Sequence, residues 1–168
     1  MENRRSFIKK SGLFLALSSL SLIAFPFPLR RKKTSPENTI YVTLNVDTSQ
    51  ITDQNLAQSC YFTGQPDDTA MEDFTVEANV GDTIIWQGIS TNAPSTDIVH
   101  IQTIHHHHGR NAFDREDHFG DDRSHKISKK VQYSAEGEQS YKYTLTFTVF
   151  NNGNKRGTFH IDPIISSH

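Results

Sequence analysis

Tyr141-Lys142-Tyr143-Thr144-Leu145-Thr146-Phe147-Thr148-Val149-Phe150, followed by Asn151-Asn152-Gly153-Asn154, is the stretch whose reading decides the fold. Tyr141, Tyr143, Leu145, Phe147 and Val149 are large and apolar, and Thr144, Thr146 and Thr148 alternate with them. Side chains of a strand point to opposite sides in turn, so this period of two in aromatic and β-branched residues predicts a strand with one buried face. The Asn-Gly turn predicts a hairpin, and Gly157 to Ile161 predicts the returning strand, stopped by Asp162-Pro163.

The same period extends upstream. Ile40, Val42, Leu44 and Val46 alternate with Tyr41, Thr43 and Asn45. Phe74, Val76, Ala78 and Val80 alternate with Thr75, Glu77 and Asn79; a Gly81-Asp82 turn leads into Thr83 to Gln87. Ile98 to Ile104 predicts a further strand, with Val99, Ile101 and Thr103 facing in and His100 and Gln102 facing out. Ile127 to Tyr133 predicts an edge strand, because Lys126, Lys129 and Lys130 discourage pairing with another sheet. Helical periodicity is lacking after residue 34, apart from room for one turn within Asp53 to Ser59. About seven short strands in about 130 residues predict an all-β antiparallel β-sandwich, immunoglobulin-like or cupredoxin-like, with Trp86 between the sheets.

The chain begins differently. Arg4-Arg5-Ser6-Phe7-Ile8-Lys9 resembles a twin-arginine translocation signal, followed by an apolar run over 12–29 and then Arg30-Arg31-Lys32-Lys33. Eighteen apolar-rich residues also suffice for a membrane anchor, and charge on both flanks leaves the orientation open. The domain reading is therefore 1–33 signal peptide or N-terminal anchor, 34–39 linker and 40–168 β-sandwich. The location expected is periplasmic or cell-envelope. Proteins on that route cross folded, often with a cofactor loaded.

Eight of the 17 Lys and Arg lie in residues 1–33, so residues 34–168 carry 9 basic against 18 acidic side chains, a net of −9. Such a domain is a poor partner for nucleic acid or anionic lipid. The membrane enters only through the N-terminal segment if it is uncleaved. Cys60 is the single cysteine, which excludes an internal disulfide and a Cys-rich zinc site and reads as a small buried hydrophobe. Serine occurs in no Gly-x-Ser-x-Gly elbow, and Asp121-Asp122 reads as loop solvation, so the domain is expected to be non-enzymatic.

Val80-Gly81-Asp82-Thr83-Ile84-Ile85-Trp86 resembles the strand pair that opens many cupredoxins. Those proteins hold type-1 copper with two His, a Cys and usually a Met, whereas here the final hairpin offers His160 without a Cys, and Met71 is the only Met besides Met1. A longer resemblance runs from about Ile40 to Ile165. Leu44-Asn45-Val46-Asp47-Thr48, Asp73-Phe74, Ala78 to Asp82, Gly88-Ile89-Ser90, Asp97-Ile98-Val99, Gly109 to Phe113 and Gly157 to Ile165 stand in similar order in the bacterial inclusion-body protein family. That resemblance implies a small β-sandwich without an established activity and carries no catalytic residue. The leader, the shorter middle and the histidine run depart from it.

The chemistry is concentrated in His105-His106-His107-His108 and the residues through His125, 21 residues with six His and five acids. Such a length without regular structure is usually functional or disordered. Imidazole suits Cu, Zn and Ni ions, and His105, His106, His107, His108, His118 and His125 are the candidate metal ligands, with a carboxylate available to complete a site. A solvated polar loop without a ligand is the plainer account, and a pH-sensitive or partner-binding loop is a third. His100 and His160, both facing out from strands, are candidates to meet on one sheet. The function expected is an exported β-sandwich binding a transition metal, or else a cell-envelope or assembly module acting through a protein partner or self-association.

Overall fold

The computed structural model describes residues 36–168. The expected signal or anchor over 1–33 and the first residues of the linker lie outside the described residues. Among the described residues no helix is long and apolar enough to cross a membrane.

In chain order the strands are β1 (Thr39–Val46), β2 (Cys60–Phe62), β3 (Thr75–Ala78), β4 (Thr83–Ser90), β5 (Ile98–His108), β6 (Asp117–Phe119), β7 (Ile127–Lys130), β8 (Tyr141–Asn151), β9 (Asn154–Ile161) and β10 (Ile164–Ser167). One four-residue helix, α1 (Leu56–Ser59), falls inside the stretch expected to hold a turn. Four strands form one sheet in the order β2-β1-β4-β7. The other six form a second sheet, β3-β10-β8-β5-β6, with β9 also pairing to β8. The all-β sandwich expected from the period of two is the fold observed. Its sheets are mixed, because β1 runs parallel to β4 and β3 parallel to β10. The expected edge strand is at an edge, with β7 last in its sheet.

β8 organises the larger sheet. Its apolar face, Tyr141, Tyr143, Leu145, Phe147 and Val149, is buried, as the alternation predicts. β5 flanks it on one side; β9 and then β10 share the other, divided at Pro163, which has no N–H to give a ladder. The β8–β9 hairpin turns through Asn152 (φ 48) and Gly153 (φ 76), the paired positive values of its turn type. Across the core, Trp86 is fully buried and its Nε1 donates to the Tyr143 hydroxyl at 2.9 Å. Burial of two such aromatics with their polar atoms paired locks the sheets in one relation.

Two polar knots close the ends of the sandwich. At one end the buried Asp97 accepts from Thr48 Oγ1 (2.5 Å), Asn151 Nδ2 (2.7 Å) and the Asn152 N–H (2.9 Å). The Thr48 side-chain bond and these backbone and amide donors hold its carboxyl below the ordinary value. At the other end the turn between β3 and β4 holds two distant segments. Val80 N donates to His168 O (2.8 Å), and His168 N donates to Ala78 O (3.0 Å). Thr83 N donates to Asn38 O (2.8 Å), and Asn38 N donates to the Asp82 carboxylate (2.9 Å).

Candidate functional site

β5 corrects the expected long loop. The strand does not stop at Ile104 but continues through His108. His105 pairs with Thr144, His106 with Tyr143 and His108 with Lys142 on β8, while Asp117 of β6 pairs with His105 on the other side. Pairing on both edges supplies the ladder hydrogen bonds that the weak strand preference of histidine would not predict. A register shift between Ile101 and Thr103 also breaks the simple alternation. Ile104, not Thr103, is the next residue buried after Ile101.

That shift sorts the histidines. His105 is exposed on the outer face, and its Nδ1 lies 2.6 Å from Asp117 Oδ1. A carboxylate accepts only, so Nδ1 is the donor of this pair, and in the neutral ring the lone pair lies on Nε2. His107 reaches the other way, its Nε2 4.0 Å from Asp162 Oδ1, just past β9. His108 is exposed at the strand end. His106 turns inward, with its ring stacked on Tyr141 at 4.9 Å and its Nε2 3.2 Å from Gly109 O.

His118 and His125 leave this group. His118 sits opposite Ile104, 2% exposed, edge-on to Phe113 at 5.4 Å, and both its nitrogens are buried without a partner. His125 takes a left-handed backbone (φ 58) and packs its ring 4.8 Å from that of His100. The expected meeting of His100 with His160 is not made; His160 instead lies 3.0 Å from Thr146 Oγ1. The six predicted ligands therefore occupy four places: an outer face for His105, His107 and His108, the inner side of the strand for His106, a core position for His118 and a loop beside His100 for His125. Among the described residues no three His, Cys, Asp or Glu side chains stand together as a preformed metal cluster.

Burial, followed by the nearby Lys129 charge, holds the His118 pKa below its ordinary 6.5. The folded chain keeps this ring neutral at pH values where the unfolded chain takes up a proton. Its contribution is therefore present above about 6.5 and lost as pH falls toward the folded-state value. An orphaned buried polar group costs about 1–3 kcal/mol. His118→Leu is expected to stabilise the domain by about that much at pH 7, with the gain growing as the pH drops. Urea midpoints at pH 7.5 and 5.5, with chelator present, check this; a loss of stability at both pH values would show that the ring has a partner.

Cys60 reads as expected. It is 4% exposed, and burial together with the Asp47 charge pushes its thiol up to about 12, so it is neither a thiolate ligand nor a nucleophile at neutral pH. It lies on β2 in the smaller sheet, while His160 lies on β9 in the larger, which leaves the type-1 copper set unassembled.

No protein-family model matches the chain, and no curated protein is similar enough to count as a relative. Among solved structures, an inclusion body protein (PixA) from Burkholderia cenocepacia J2315 is similar. The match has a TM-score of 0.56 at 13% identity and covers 80% of this chain and 98% of that one. The domain is thus a small all-β sandwich with an architecture like that of the inclusion body protein. At that identity the likeness speaks to fold.

Proposed function

We propose that this chain is an exported, non-enzymatic β-sandwich that works by binding, and that the outer histidine face of β5 takes a transition-metal ion such as Cu²⁺, Zn²⁺ or Ni²⁺. The observation that carries this reading is the His105–Asp117 pair. A carboxylate that holds one ring nitrogen orients the imidazole and makes the other nitrogen a better donor, the arrangement that supports histidine ligands in metal sites. His107 and His108 follow on the same strand, both exposed, and an ion held by His105 would have to draw them round to it. The acidic balance of the domain favours cations.

Full-length protein made with its own leader, recovered from the periplasm or membrane without a metal-affinity step, tests both parts. Elemental analysis is expected to find a transition metal. The triple variant His105→Ala, His107→Ala, His108→Ala is expected to retain less of it, and Asp117→Asn to weaken binding about tenfold. Protein confined to the cytoplasm would overturn the export reading. Metal content unchanged in the triple variant would overturn the outer-face reading.

A second reading is self-association, supported by the architecture shared with the inclusion body protein and by Phe119, 73% exposed on the edge strand β6. Sedimentation of wild type and Phe119→Ser, with and without chelator, separates the two. Chelator-insensitive assembly lost on Phe119→Ser favours assembly over metal.

A further inference from the structure

Away from the run, the loop 120–126 runs along the edge of β5 beyond β6. It is held there by backbone bonds: Gly120 N donates to Gln102 O (2.7 Å), Ile101 N to His125 O (3.1 Å) and His125 N to Asp121 O (2.7 Å). Asp121 Oδ1 accepts the N–H groups of Arg123 and Ser124 at 3.0 and 2.7 Å, which shapes the turn. The result is that His125, in a left-handed conformation uncommon for a residue with a side chain, lays its ring against His100 at 4.8 Å and 61°.

This contact has an unpaid feature. His100 Nε2 and His125 Nδ1 are both buried, and neither has a hydrogen-bond partner. Buried polar atoms in folded proteins are nearly always paired, and an orphan calls for a ligand or a water. Here two orphan nitrogens belong to adjacent rings. Asp122 Oδ1 lies 3.9 Å from His100 Nε2, beyond hydrogen-bond reach, on a side chain 98% exposed and free to rotate. Two imidazoles with lone pairs and one carboxylate are donors suited to Zn²⁺ or Cu²⁺, with water completing the coordination.

We propose that His100 and His125, closed by Asp122 at the rim, form a second transition-metal site separate from the outer face of β5, and that the ion fastens the 120–126 loop to the sheet. The inference shares with the functional reading only the class of ion; it needs none of His105 to His108. A metal bound only by the folded state also raises its stability.

Metal-stripped full-length protein, titrated with Zn²⁺ against a chromophoric chelator and followed by thermal unfolding, tests this. The His105→Ala, His107→Ala, His108→Ala variant is expected to keep one equivalent of Zn²⁺ and the accompanying rise in Tm. His100→Gln and His125→Asn are each expected to weaken that equivalent tenfold or more and abolish the rise; Asn is chosen at 125 because it tolerates the left-handed backbone. Asp122→Asn, a change at an exposed position that leaves the fold intact, is expected to weaken it as well. Loss of all Zn²⁺ binding in the triple variant would overturn the second site while leaving the outer-face reading in place. Unchanged binding in His125→Asn and Asp122→Asn would overturn it too, and would identify a hydrated histidine pair.

Discussion

Gly109→Ala is expected to destabilise the domain by more than about 4 kcal/mol, which for a small sandwich means loss of the cooperative unfolding transition. Two costs combine at this position. Gly109 has φ +78, and a Cβ built there would lie 1.9 Å from Ser140 O. The first cost alone is about 1–2 kcal/mol. The second cannot be relieved by a side-chain rotation, because the obstacle is backbone. Gly109 ends β5 directly after the histidine run, and the next residue, Arg110, donates its N–H to Gln139 O at 2.9 Å. Moving the strand end away from Ser140 would therefore break the seam that carries the chain out of the sheet. Gly153→Ala provides the control: its φ is +76, with nothing within 4 Å of the added Cβ. It is expected to cost only the conformational share, about 1–2 kcal/mol. Urea unfolding followed by Trp86 fluorescence measures both. Equal effects at the two glycines would show that β5 and Ser140 do not approach as closely as described.

Trp86→Ala is expected to cost about 3–5 kcal/mol. The indole is fully buried, edge-on to Phe113 at 5.8 Å and to Tyr143 at 6.0 Å. Truncation opens a cavity between sheets whose strands are fixed by their ladders, so collapse is incomplete. It also removes the donor to the Tyr143 hydroxyl, leaving a buried oxygen unpaired. Trp86→Phe separates the two effects. It keeps most of the volume but orphans the same hydroxyl, and adding Tyr143→Phe is expected to recover part of the loss. Circular dichroism serves as the readout, since this is the only tryptophan in the chain. A double variant less stable than the sum of its singles would refute the role given to the hydroxyl.

The long alternations were readable because one face of each is buried along its whole length. β1, β4 and β8 fall where the period of two places them, and the core position of Trp86 goes with them, while the buried state of Cys60 follows from its residue type alone. β2 and β6 span three residues each and β10 four, too few to show a period, and they exist because a longer neighbour offers an open edge. Parallel pairing of β1 with β4 leaves no local mark, since it joins segments separated by β2 and β3. The histidine run misled in a specific way. Composition reads it as loop, yet β8 and β6 pair with it from both sides. The register shift after Ile101 then decides which rings face water, and nothing in the residue types announces it. The His100–His125 contact has still less of a signal: it depends on a turn built by Asp121 and on one left-handed residue.

The turn between β3 and β4, which grips Asn38 on one side and His168 on the other, joins segments far apart in the order of synthesis. β3 has its partner β10 far downstream, so an emerging nascent chain carries the apolar residues of β1, β3 and β4 well before β10 is available to cover them. Sheets closed by such distant pairings fold slowly. A nascent chain is therefore expected to keep that apolar surface uncovered until Ile164–Ser167 emerges, the condition under which chains aggregate unless chaperones hold them.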